Sequence, residues 1–380
     1  MVSIENSGTH AGSSSSIAYS YHGQQGALTL ARCVGQMLTL GLAKQLVQEA
    51  ALAMFVEDRS VVCVRHGIQG GNWRIMPSLA SRRPRQESIV PMSASTPPFV
   101  LSIQSHVALG HVGNDAAVFP LQRLGFEVLP VHTVQFSNHT GYGQFRGQVF
   151  DAEHIREVLA GLRDRGVLSR VSAVLSGYLG DAAIGAVILE AVDEIRRDNP
   201  GVRYLCDPVM GDVGRGVFVN AAIPDFLRNL AIPCANIITP NQFEFELLTG
   251  SKLDSVDEAV RTARQLRGRG PDVVVITSLA TPDIPADQLG TLAVNGEGAW
   301  LVSTPRLALH PLPNGMGDVF SATLLARLLS GHALPQALEL ATATLYALVQ
   351  KTAEGSRDLP LVVAQEQIVS PLGAYPAVAV

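Results

Sequence analysis

The chain has 380 residues, 47% of them hydrophobic and 16% charged, enough apolar material for one large folded domain or two of ordinary size. A formal net charge of −5 supplies no global basic field, which sets nucleic-acid binding low among the possible functions. Four scattered cysteines, Cys33, Cys63, Cys206 and Cys234, form no Cys-x-x-Cys pair, so a disulfide framework and a cysteine-based zinc site are both disfavoured and a reduced compartment is expected.

The first 98 residues differ in texture from the rest. Residues 27–42, "ALTLARCVGQMLTLGL", come nearest to a membrane span, but Arg32 and Gln36 interrupt them and no lysine or arginine precedes them as a secretory signal would need. The expectation is a soluble, cytoplasmic protein with no membrane attachment. Apolar spacing over 27–56 permits one helix. A serine run (Ser13–Ser16) and a stretch rich in Pro, Ser and Arg over 77–98 read as a mostly disordered extension ending in a linker. Within it, "RRPR" at 82–85 reads as a solvated charge run. Met92, seven residues before the first strand, is a candidate start for a shorter product.

From Phe99 the chain alternates short apolar runs with helical patterns. "FVLSI" (99–103), "FEVLPV" (126–131), "VSAVLSG" (171–177), "VRYLC" (202–206), "ANIIT" (235–239) and "DVVVIT" (272–277) predict buried strands. Helical stretches at 181–199 and 255–270 lie between them, and 318–330 and 335–351 close the chain. Residues 291–304, "TLAVNGEGAWLVST", predict a hairpin around "NGEG". Strand and helix in alternation predict a mainly parallel sheet covered on both faces.

Ligands of such sheets gather at the carboxyl ends of the strands. Those ends carry Gln104-Ser105-His106, Gly177-Tyr178, Asp207-Pro208, Thr239-Pro240-Asn241 and Thr277-Ser278. No G-x-x-x-x-G-K-[ST] loop is present, and "GDVGRG" (211–216) has the wrong spacing for G-x-G-x-x-G. Asp207, Asp212 and Glu244 with Asn241 offer hard oxygens suited to Mg²⁺ and bound phosphates; each taken singly also reads as turn or helix-start chemistry. His106, His111, His132 and His139 share no helix face and have no cysteine partners, which disfavours zinc. In "PNGMGDVFSATLLARLL" (313–329), Asp318 admits two readings: helix N-cap, or a base beside an anion pocket formed by Gly315, Met316 and Gly317.

Six segments in order, "SIQSHVALGHVGNDAAVFPLQRLG", "TVQFSNHTGYG", "VLSGYLGD", "CDPVMGD", "TPNQFEFELLTG" and "GMGDVFSATLL", resemble the pyridoxal kinase family. The resemblance covers residues 99 to about 371 and implies a ribokinase-like, three-layer α/β/α domain over 99–372, without a separate lid domain, followed by a tail (373–380). It implies Mg-ATP-dependent phosphorylation of the 5′-hydroxyl of pyridoxal and related vitamers by a homodimer. Carried over by residue, Ser105, His139, Thr140 and Tyr178 would line the substrate pocket with Asp318. Asp207, Asp212, Asn241, Thr239, Glu244, Thr277 and Ser278 would serve ATP, with Asp207 and Glu244 on the metal and Thr239 and Thr277 near the phosphates or a monovalent cation such as K⁺. Asp318 would be the base, capping its helix at the same time, and the amides of Gly315 to Asp318 the anion hole. Thr277 stands where some bacterial members carry lysine, Met316 where Thr or Val is common, and 304–314 resembles the family only loosely. A hydroxymethylpyrimidine kinase of the same fold and a catalytically silent vitamer-binding protein are the competing expectations.

Overall fold

The computed structural model describes residues 52–56, 59–63 and 98–380. Contacts divide the chain into two units, 1–93 and 94–380. In the first, β1 (Leu52–Val56) and β2 (Arg59–Cys63) form an antiparallel pair with Leu52 opposite Cys63. The last five residues of the helix expected over 27–56 are therefore strand, as the β-branched and aromatic content of "LAMFV" and "RSVVC" favours. The remainder of that helix and the linker over 77–97 lie outside the described residues.

The second unit is built on a ten-stranded sheet. β3 (Phe99–Leu109) is followed by α1 (Asn114–Arg123) and β4 (Glu127–Asn138), which lies parallel to β3 on one side. After β5 (Gly147–Val149) and α2 (Ala152–Asp164) the chain returns to the other side of β3. From there β6 (Val171–Ser176), α3 (Ala182–Asp198), β7 (Arg203–Cys206) and β10 (Ile237–Ile238) extend the parallel array outward. The reversal between β3 and β6 is the switch point at which such sheets open a crevice. Beyond it come α4 (Gln242–Thr249), α5 (Val256–Arg267) and β11 (Val273–Leu279). β12 (Gln288–Val294) and β13 (Ala299–Pro305) form the antiparallel hairpin expected from "NGEG". The last residues are not a detached tail. β14 (Val378–Ala379) pairs with Trp300 and Leu301 of β13, because that edge offers unpaired backbone groups. The full order across the sheet is β14-β13-β12-β11-β10-β7-β6-β3-β4-β5.

Alternation along each strand feeds two apolar layers. Leu101, Ile103 and Val174 meet α2, α3, α4 and α5 on one face. Val100, Ala173 and Leu175 meet α1, α6 (Met316–Leu329) and α7 (Leu334–Gln350) on the other. Two covered faces account for the near-continuous apolar strands, and the architecture is the expected three-layer α/β/α. Helix starts differ by role. Asp151, Asp181 and Ser255 accept backbone N–H groups at the starts of α2, α3 and α5. α1 and α6 instead begin at Gly113 and Gly315, both with positive φ and neither with a side-chain cap. Those two starts face the site. Among the described residues no helix is long and apolar enough to cross a membrane.

Candidate active site

The crevice is assembled at the carboxyl ends of β3, β6, β7, β10 and β11. Asp207 follows β7 directly and is only 4% exposed. Its Oδ2 accepts the Ser321 hydroxyl at 3.2 Å, and Ser321 Oγ lies 2.8 Å from Thr239 Oγ1. Burial, then the charges of Glu244 and Asp318, push its carboxyl far above the ordinary aspartate range; the Ser321 and Thr239 hydroxyls pull back against them.

Glu244 is equally buried, at 4%. It closes a capping box with Asn241. The Asn241 side chain accepts the Glu244 N–H at 2.9 Å, while Glu244 Oε2 accepts the Asn241 N–H at 3.0 Å. Oε1 takes the N–H groups of Met210 and Gly211 at 2.9 and 3.3 Å. Burial raises this carboxyl to about 7 in spite of those three donors. Asn241 Nδ2 donates to the Gly211 carbonyl at 2.9 Å, fastening the small ribbon of β8 (Gly211–Asp212) and β9 (Gly216–Val217) to α4. The glycine-rich "GDVGRG" is thus a hairpin. At its turn, burial draws the Asp212 carboxyl upward, but the Arg215 guanidinium and the turn amides outweigh it and hold the group below its usual range.

Asp318 stands apart from the expectation in one respect. α6 starts at Met316 with Gly315 as its N-cap, and no side chain caps it. Asp318 lies within the first turn, where its Oδ2 accepts the Gly113 N–H at 2.9 Å, across 205 positions of sequence. It does not cap its own helix, because the bend at Gly315 brings the start of α1 within reach of the carboxylate. The first-turn amides of α6 consequently keep their hydrogens free for an anion, with the positive end of the helix dipole behind them. Burial raises the Asp318 carboxyl to about 6; the Gly113 N–H lowers it and the charge of Asp115 raises it.

The other expected residues lie towards the carboxyl ends of β3 and β11, after β6, and in the turn after β4. Ser105 sits at the bulge where the β3–β4 register shifts. Tyr178, half-buried after β6, has its carbonyl held by the Thr133 hydroxyl at 2.8 Å, and burial raises its phenol. His139 caps a single 3₁₀ turn over Thr140–Tyr142, its Nδ1 accepting the Gly141 N–H at 3.1 Å. Burial lowers this imidazole, Arg215 lowers it further, and it is neutral at pH 7. Gly141 sits beside Asn314, since a Cβ built on it would lie 3.6 Å from the Asn314 side-chain oxygen. Thr277 donates its N–H to the Pro240 carbonyl at 2.9 Å. Ser278 is exposed and, among the described residues, is the one non-glycine with positive φ (52°), at the bulge of β11. His106 and His132 stack at 4.3 Å, with His106 Nδ1 2.7 Å from Asp115.

Hard oxygen donors concentrated in one buried spot fit a small divalent cation. Asp207 has lone pairs to give, whereas Glu244 has spent most of its own on amides and would act through water. Among the described residues no trio of His, Cys, Asp or Glu is near enough to hold a metal alone, so phosphate oxygens and water would complete its shell.

One substitution tests the anion loop. Gly315 holds φ at 78°, and a Cβ there would overlap the His111 carbonyl. Gly315→Ala is expected to lower Tm by about 5–10 °C and turnover at least about tenfold. Gly331→Ala, equally left-handed but with nothing within 4 Å, should show only the smaller conformational cost in the same melts.

Sequence and structure comparisons find kinases over the same span of the chain. The sequence profile of the phosphomethylpyrimidine kinase family matches residues 133–360, more than half of the chain. The pyridoxal kinase PdxY of Rubrobacter xylanophilus is 50% identical over 279 residues, 73% of this chain and 96% of that protein. That of Deinococcus radiodurans is 49% identical over 296 residues, 77% of this chain and 98% of the relative. Among solved structures, pyridoxal kinase from Leishmania donovani in complex with ADP and pyridoxine superposes with a TM-score of 0.68 at 31% identity, covering 74% of this chain and 99% of the other.

Proposed function

The chain belongs to the pyridoxal kinase family, and from that membership we propose that it transfers the γ-phosphoryl group of ATP to the 5′-hydroxyl of pyridoxal, with Asp318 as the base. The observation that carries the reading is the pairing of a half-buried carboxylate with an uncapped helix start. Gly113 N–H fixes Asp318 beside the free amides of Gly315 to Asp318. A primary alcohol is a weak nucleophile near neutral pH, so a carboxylate that accepts its proton as attack proceeds lowers the barrier. Phosphoryl transfer otherwise demands alignment and neutralisation of charge, which amide dipoles supply without reorganising. Tyr178 and Thr140 flank the ring, and Ser105 with His139 offers it hydrogen bonds. Because Nδ1 accepts the Gly141 N–H, a neutral His139 carries its proton on Nε2 and offers that N–H to the ring as a donor.

Asp207, with Glu244 through water, would hold Mg²⁺, which neutralises charge on the ATP phosphates. Asn241, Asp212, Thr239, Thr277 and Ser278 line the nucleotide side, with K⁺ or another monovalent ion near the threonines. The working unit is a cytoplasmic homodimer. Purified protein with Mg-ATP and either pyridoxal or hydroxymethylpyrimidine separates the readings. Phosphorylated pyridoxal as the main product supports the proposal. Preference for hydroxymethylpyrimidine would replace it. Binding of pyridoxal without turnover would leave a silent vitamer-binding protein.

A further inference from the structure

We propose that Asp358 is a positioning residue for this reaction, one carboxylate that ties the substrate turn at 139–142 to the turn at 110–113, beside the Arg357 carbonyl that holds the loop entering α6. The proposal rests on the functional reading above. Asp358 Oδ2 accepts the Tyr142 hydroxyl, 216 positions away in sequence. Oδ1 accepts the His111 N–H at 3.3 Å, 247 positions away. Gly110 packs so closely that a Cβ on it would lie 2.6 Å from Oδ1. Next to Asp358, the Arg357 carbonyl accepts both the backbone N–H and the side-chain amide of Asn314, at 2.8 and 3.2 Å. Asp358 is itself held by Ser356, whose Oγ accepts the Asp358 N–H at 3.1 Å and donates to its carbonyl at 3.0 Å.

Each tethered segment leads directly to a working group. Two residues beyond His111, the Gly113 N–H holds Asp318. One residue beyond Asn314 lies Gly315, where the anion loop begins. Tyr142 ends the 3₁₀ turn that carries His139 and Thr140. Partial burial and the bond to Asp358 raise the Tyr142 phenol to about 12, so it stays a donor at any working pH. Loops fixed only by local turns open readily, whereas a carboxylate bonded to two of them couples their positions. Asp358 makes no hydrogen bond to Asp318, His139 or Thr140; burial lowers the His139 imidazole, and the charge of Asp358 raises it against that burial. It acts through the loops.

The test compares Asp358→Ala, Asp358→Asn and Tyr142→Phe with the wild-type chain. Asp358→Ala is expected to raise the pyridoxal KM about tenfold and to change the ATP KM less than about twofold. Asp358→Asn, which keeps one accepting oxygen, should fall between it and wild type. Adding Tyr142→Phe to Asp358→Ala should cost little more, since both remove the same tether. Hydrogen exchange should accelerate together at 110–113, 139–142 and 314–315 and not elsewhere. An unchanged pyridoxal KM, equal losses towards both substrates, or exchange accelerated throughout the domain would overturn the proposal. If the wild-type chain fails to phosphorylate pyridoxal, the functional reading falls, and exchange in the three loops still decides whether Asp358 couples them.

Discussion

Asp318→Asn is expected to lower kcat by about 10³-fold while pyridoxal still binds, with KM altered no more than about threefold. Asparagine has the same shape and its Oδ1 can still accept the Gly113 N–H, so the start of α1 and the anion loop stay in register. What disappears is the acceptor for the alcohol proton. The wild-type pH profile checks the same assignment. Burial places the Asp318 carboxyl at about 6, with Asp115 pushing in the same direction and the Gly113 N–H against it. A base must be unprotonated, so kcat should climb as pH rises through about 6 and then level. The residual activity of Asp318→Asn should lack that limb. Single-turnover measurements from pH 5 to 8 on both proteins decide the matter; a mutant with near-wild-type turnover removes the base from the mechanism.

Much of this site is legible in the chain because its parts are local. Strand-end residues announce themselves by position, and "NQFE" spells out the Asn241–Glu244 capping box within four residues. Where the expectation fell short, the cause is long-range geometry. β3 and β4 run on past the apolar runs to Leu109 and Asn138, because their ladder continues beyond a bulge through polar residues such as Gln104 and Gln135 that give no strand signal. Asp318 looks like a cap by spacing, yet its partner is Gly113, and no window of local sequence contains both. Asp358 has still less of a signature. "EGSRDLP" reads as an ordinary exposed turn, and only the folded chain brings Tyr142 and His111 to it.

Asp207→Asn carries the second large effect, in two opposite directions. Turnover should fall at least about 100-fold, because the best-placed oxygen ligand for the cation and its phosphates loses its charge. Metal-free protein at pH 8 should nevertheless melt about 3–6 °C higher than wild type. The sign follows from linkage. A carboxyl whose folded-state value is raised contributes stability that is full below its unfolded value and is lost as pH climbs through the folded one. Glu244, raised to about 7, and Asp318, raised to about 6, both do this, so the metal-free fold should weaken between about pH 4 and 7. Asp207, displaced upward by burial and by those two neighbours, adds to the same trend. Its replacement removes from the cluster a buried group that resists ionisation, while an amide oxygen can still accept the Ser321 hydroxyl. The gain in Tm should therefore be larger at pH 8 than at pH 5, and Mg-ATP should stabilise the mutant far less than the wild type. Melts at the two pH values, with and without Mg-ATP, make the comparison; equal Tm for the two metal-free proteins at pH 8 would mean that the buried carboxylates store no electrostatic strain for the cation to relieve.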